Sequence, residues 1–135
     1  MIRNEVTVQK LSETKQLKIG SGTLYFFEKV ALKNMEFVIG KLEPGERLTP
    51  HYHKAPAEEI YFAYKGKCKV AIAGQVKQLE EGSALYVPPG VVHYPINDSN
   101  ETCWLAFFLG PGGEDTIVEV EEKEEYQRPP LERPK

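Results

Sequence analysis

The sequence predicts an all-β fold, one domain built from many short strands, and three observations carry that reading. Short runs rich in aromatic and β-branched residues recur along the chain. Pro and Gly punctuate them about every ten residues, the rhythm of a β-sandwich or barrel. No stretch shows a long helical period with a cap and a stop. At 135 residues the chain suits a single domain. That size buries about two-thirds of the unfolded surface, so no disulfide staple is needed.

The elements follow in order. Residues 23–30 (TLYFFEKV) and 35–42 (MEFVIGKL) read as strands. Residues 43–46 (EPGE) place Pro then Gly as a type II turn prefers. A third apolar run covers 59–64, and 67–73 alternates, with Cys68, Val70 and Ile72 on one face and Lys67 and Lys69 on the other. Gly74-Gln75 then predicts a tight hairpin into a strand over 76–80. Strands over 83–89, 91–96, 103–109 and 116–120 complete the set. Apolar residues on both faces of 103–109 predict cover from both sides, by the lumen contents and by a second sheet or a partner subunit. The domain is expected to span residues 1–118. Residues 119–135 form an acidic, Pro-rich tail that reads as loose after a first helical turn.

Charge and cysteine usage exclude several classes. The net charge of −3 does not suit a nucleic-acid binder. Residues 114–125 hold seven acids and one base, a local charge of −6, so the remainder carries +3. No apolar run approaches a membrane span, and the first ten residues lack a signal-type apolar core. Cys68 and Cys103 therefore read as reduced, inert thiols in a cytoplasmic protein.

The candidate chemistry lies in HYHKAPAEE, residues 51–59. On a strand, residues i and i+2 share a face, so His51 and His53 project together. If 54–57 is a loop, the chain doubles back and brings one carboxylate to the same place. Glu58 and Glu59 point to opposite faces, so only one of them can serve. His93, the one remaining histidine, follows the Pro88-Pro89-Gly90 turn, which places it to face inward at a rim. An HxH pair alone is also common on a solvated strand, and it is the second motif that shifts the balance towards a metal site.

These two segments resemble the motifs of the cupin superfamily, G-x5-HxH-x3,4-E-x6-G and G-x5-PxG-x2-H-x3-N. Gly45, His51, His53, Glu59 and Gly66 match the first, with five residues rather than three or four between His53 and the glutamate. Gly66 sets the register in favour of Glu59, with the extra residue bulging into 54–57; Glu58 stays the alternative. Gly82, Pro88, Gly90, His93 and Asn97 match the second without a shift. The resemblance implies a double-stranded β-helix, or jelly roll, of six to eight strands. It also implies one divalent metal ion per chain (Fe, Mn, Zn, Ni, Co or Cu) held by His51, His53, Glu59 and His93. Such a donor set leaves the site a charge of +1 with two open positions. It further implies a homodimer with N-terminal strands at the interface.

The function implied is a metal-dependent enzyme acting on an oxygen-rich small molecule. Dioxygenase, isomerase, decarboxylase and lyase chemistry all fit, with dioxygenase favoured by analogy. The alternative is a non-catalytic barrel that binds or senses a sugar or acid. Tyr61 shares the face of Glu59 and is the candidate proton donor, set against a purely packing role. Asn97 is expected to hold a turn, and Gly45, Gly66, Gly82 and Gly90 to adopt positive φ.

Overall fold

Among the described residues, eleven antiparallel strands form two facing sheets. In the computed structural model, residues 5–111 and 117–120 are described. The strands are β1 (Lys15–Ile19), β2 (Gly22–Phe26), β3 (Glu36–Leu42), β4 (His51–His53), β5 (Glu58–Lys65) and β6 (Cys68–Ile72). They continue as β7 (Gln75–Leu79), β8 (Ala84–Val87), β9 (His93–Ile96), β10 (Cys103–Gly110) and β11 (Ile117–Glu119). The six-stranded sheet runs β1-β2-β3-β10-β5-β8, and the five-stranded sheet β11-β4-β9-β6-β7. This is the double-stranded β-helix expected, with more strands than the six to eight anticipated.

Alternation decides which side chains meet between the sheets. On β5, Glu59, Tyr61 and Ala63 are buried, while Glu58, Ile60 and Tyr64 face out. On β6, Cys68, Val70 and Ile72 point inward and join Leu42, Leu48, Leu79, Leu105 and Phe107 in the core. Lys69 faces out and pairs with Asp98 at 2.7 Å. The Cys68 and Cys103 thiols are free and buried. Hydrogen bonding to Cys103 together with burial pushes the Cys68 thiol up, so it stays protonated.

Several boundaries differ from the sequence reading. The strand expected over 23–30 stops at Phe26, because Val30 N–H closes a one-turn 3-10 helix (Glu28–Val30) on the Phe27 carbonyl. Gln9 pins that turn: its amide N–H donates to Glu28, and its amide oxygen accepts from Lys29 N–H. Strand β1 was not anticipated, since only Leu17 and Ile19 of its five residues are apolar. The hairpin after β6 turns at Ala73-Gly74, one residue earlier than expected, and Gln75 already pairs with Ile72. The outer face of β10 is not covered by the second sheet. There Tyr25, Ile39 and Ala106 are buried by aromatic neighbours of their own sheet, among them Phe37, Phe62 and Trp104.

Other expectations hold in detail. Glu46 N–H bonds to the Glu43 carbonyl at 2.9 Å, and Gly45 has φ +85°, as a type II turn requires. Gly66 (φ +75°) leaves no room for a side chain, since a Cβ there would strike the Thr102 carbonyl. Gly82 and Gly90 also have positive φ. Asn97 is fully buried and holds its turn: its amide N–H groups donate to the carbonyls of Leu42 and Glu101, and its oxygen accepts from Ser99. Glu119, placed at the start of the tail by the sequence reading, is the last residue of β11, and Val120 N–H still bonds to Pro50. The rest of the tail, 121–135, lies outside the described residues, as does Thr116.

Candidate metal centre

Three strands of the two sheets bring the candidate ligands together. His51 on β4 stands directly opposite His93 on β9. His53, two residues along, projects on the same side. The Lys54–Ala57 turn, closed by Ala57 N–H on the Lys54 carbonyl, carries the chain across to the other sheet. There Glu59 faces back toward the histidines. One donor atom from each of His51, His53, Glu59 and His93 lies within 4.8 Å of all the others. Glu59 Oε1 is 3.1 Å from His53 Nε2 and 2.9 Å from His93 Nε2. Glu58 points outward and accepts a hydrogen bond from Tyr86. The structure thus brings together the four residues singled out, and puts Glu58 elsewhere.

The backbone sets the histidine rings. His51 Nδ1 donates to the Thr49 carbonyl and His93 Nδ1 to the Val91 carbonyl, each at 2.8 Å. With the proton on Nδ1, each Nε2 presents a lone pair to the cluster. His93 Nε2 then meets a carboxylate oxygen at 2.9 Å, and two acceptors at that distance repel. The contact is favourable only if a cation lies between them or His93 is an imidazolium. His53 has no such tether, and its Nδ1 is buried without a hydrogen-bond partner.

Electrostatics favour the ligand forms. Burial, and then the nearby His93, hold His51 down at about 3, so its imidazole is neutral at pH 7. Burial alone would raise Glu59, but the imidazoles of His53 and His93 set against it outweigh that and hold the carboxyl at about 2. Three imidazoles and one carboxylate, mutually close and drawn into the interior, fit a divalent ion of the Fe, Mn, Zn, Ni, Co or Cu group.

A cavity of about 420 Å³ opens onto the cluster. His51, His53, Glu59 and Tyr61 contribute to its wall, and Leu17, Phe26, Val38, Phe107 and Leu109 make much of the rest. Tyr61 packs edge-on against both His93 and Phe107. Burial, reinforced by the Glu59 charge, pushes its hydroxyl well above the ordinary value, so it stays protonated. Two carboxylates on the wall escaped the sequence reading. Glu119 is cross-strand from His51, and Glu36 shares a row with Leu109 and Glu59 across β3, β10 and β5. The alternation of Ile117 and Glu119 about Val118 was the available signal for the first. The surrounding run of acids masked it.

Residues 38–108, just over half of the chain, match the family described as the cupin domain, and the chain belongs to that family. Among curated proteins it is 34% identical over 71 residues to the dimethylsulfoniopropionate lyase DddW of Ruegeria pomeroyi, covering 53% of this chain and 45% of that one. The chain spans about half the length, or less, of the curated relatives it matches. Among solved structures, the polyketide cyclase RemF of Streptomyces resistomycificus superposes with a TM-score of 0.70 at 14% identity, covering 91% of both chains. A Streptomyces nucleoside dehydratase gives a TM-score of 0.72 at 13% identity, over 87% of this chain and 92% of that one. At these identities the likeness is one of fold. Among the described residues, no helix is long and apolar enough to cross a membrane.

Proposed function

We propose that the chain holds one divalent metal ion at His51, His53, Glu59 and His93 and is a metal-dependent enzyme for an oxygen-rich small molecule. The observation that carries this reading is the cluster itself, with one donor atom from each of the four residues within 4.8 Å of all the others. The ion, when bound, supplies Lewis-acid polarisation of a ligand oxygen. The protein's own residues do the rest. Thr49 and Val91 fix the rings of His51 and His93. The apolar walls keep water from the ligand. Tyr61, held protonated, is a hydrogen-bond donor rather than an acid. Glu119 is placed on the wall to take or return a proton.

Lyase, dehydratase and cyclase activities appear in the names of the similar proteins. They support elimination or isomerisation chemistry over the dioxygenase favoured by analogy. The test is elemental analysis of protein purified without oxygen or chelators, beside a His51→Ala/His93→Ala double variant. The reading requires close to one metal per chain, lost in the variant. An ion that resists azide, nitric oxide and chelating acids alike would instead indicate the non-catalytic barrel.

A cytoplasmic homodimer is part of the same proposal. The outer face of the six-stranded sheet, with Ile60, Tyr64 and Tyr86 exposed, is the surface a second copy would cover. Sedimentation of Tyr64→Glu against the wild type tests it.

A further inference from the structure

The cavity extends well beyond the histidines. Inward-facing residues of the six-stranded sheet stand in register across five strands. Tyr61 on β5 is opposite Phe107 on β10, and Phe107 is opposite Val38 on β3. Val38 is opposite Phe26 on β2, and Phe26 is opposite Lys15 on the edge strand β1. Four interstrand steps of about 4.8 Å make a path of roughly 19 Å. All five residues line the same cavity as His51, His53 and Glu59. Its floor is apolar for three consecutive strands, with chelating groups at one end and Lys15 at the other.

The charges on the wall limit what the far end accepts. Among the described residues, the lining outside the cluster holds one cation, Lys15, and two carboxylates, Glu36 and Glu119. No described arginine lines it, so a phosphate finds no bidentate partner among these residues and meets net negative charge. A small, fully polar ligand would leave the open part of the apolar lining, the half-buried Phe26 and Leu24 and the exposed Leu17, facing water.

We propose that the trough takes an elongated, apolar-bodied ligand without a phosphate group. Its oxygen-bearing head chelates at the His51, His53, Glu59 and His93 cluster. Its alkyl or aromatic body lies over Phe107, Val38 and Phe26 toward Lys15. This inference rests on the metal-centre reading above and adds the class of ligand to it.

The test uses cobalt-loaded protein and a series of n-alkyl hydroxamic acids, from acetohydroxamic to decanohydroxamic acid, followed by calorimetry and by the cobalt absorption. Affinity should climb about threefold to fourfold per added methylene until the trough is filled. Phe26→Gln should cost decanohydroxamate at least tenfold more than it costs acetohydroxamate, with the metal content retained. A flat series in the wild type overturns the trough and leaves the metal centre standing, as does hexyl phosphate binding as tightly as hexanohydroxamate. Acetohydroxamate that binds without perturbing the cobalt spectrum, or protein that takes up no cobalt, overturns the metal-centre reading and the trough with it.

Discussion

Two of the concavities among the described residues differ in chemistry more than in size. One is the cavity lined by the edge strands β1 and β11 together with the histidine cluster, about 420 Å³. The other is a groove between β7 and β8, about 570 Å³, lined by Leu79, Leu85 and Val91 with Gln75, Lys77 and Gln78. Among the described residues, the larger of the two has no histidine and no carboxylate in its lining. Hollow volume is therefore not what marks a site in this fold. What marks it is polar side chains drawn into a dry interior, where each must find a partner or a ligand.

The sharpest way to break that contrast is to remove one buried donor and one groove residue. His93→Gln should weaken divalent-metal binding by about 100-fold or more, whereas Lys77→Gln in the groove should leave it within twofold. The adjacent glutamates repeat the test at one-residue resolution. Glu59→Gln should lower metal affinity and Glu58→Gln should not, since only Glu59 faces the histidines. Metal titrations by calorimetry decide both, and equal losses from Glu58→Gln and Glu59→Gln would mean that the carboxylate is not a specific donor.

The same buried groups should make the metal-free protein acid-sensitive. His51 sits at about 3 when folded, against 6.5 for an ordinary imidazole, and Glu59 at about 2, against 4.5. Both folded values lie below the unfolded ones, so the unfolded chain binds more protons as the pH falls. Stability is full above about 6.5. It declines from there to about 3 as only the unfolded His51 protonates, and Glu59 adds a second loss between 4.5 and 2. Urea midpoints at pH 7, 5.5 and 4 should fall in that order, and Glu59→Gln should remove the lower part of the decline. A midpoint unchanged from pH 7 to 4 would count against neutral, buried His51.

Much of this was legible in the chain, and the gaps have physical causes. Period-2 alternation put His51 with His53 and set Glu58 and Glu59 on opposite faces, but the full ligand set and the preference for Glu59 over Glu58 came from the resemblance to the cupin motifs, whose second glycine fixes the register. Strand β1 could not be read, because Lys15-Gln16-Leu17-Lys18-Ile19 sits at a sheet edge with one face in water, and two apolar residues make a weak signal. Glu119 was hidden by the acids around it, since only pairing with β4 separates it from a solvated run. The Phe26–Val38–Phe107 floor depends on the register of three strands, which no local pattern encodes.

That floor also depends on a missing side chain. Gly40 lies on β3 beneath the Phe107 ring, and a Cβ there would overlap the ring edge. Gly40→Ala should push Phe107 toward the cavity and destabilise the fold by about 1–3 kcal/mol, the usual cost of overpacking. It should also shorten the usable trough, so long-chain hydroxamates lose affinity before short ones. Unchanged thermal stability would mean that the ring has room to swing elsewhere.

The smallest effect belongs to the groove side, at Ala73, which lines it. The two-residue loop Ala73-Gly74 has φ of 51° and 75°, the signs of a type I′ turn, whose first position favours Asn or Gly. An alanine in the left-handed region costs about 1 kcal/mol. Its methyl also packs against the core, so relief of strain and loss of packing compete at this position. Ala73→Asn keeps the Cβ and relieves the strain, and should stabilise by about 0.5–1 kcal/mol, a rise of a few degrees in Tm. Ala73→Gly relieves the strain but gives up the methyl and loosens the unfolded chain, and should be close to neutral. Thermal unfolding of both variants separates the two contributions. If Asn and Gly stabilise equally, packing at the groove is worth nothing; if neither does, the backbone there is not strained. In either case metal content should not move, because the groove meets the cluster through the Val91 carbonyl, which holds His93 Nδ1, and not through Ala73.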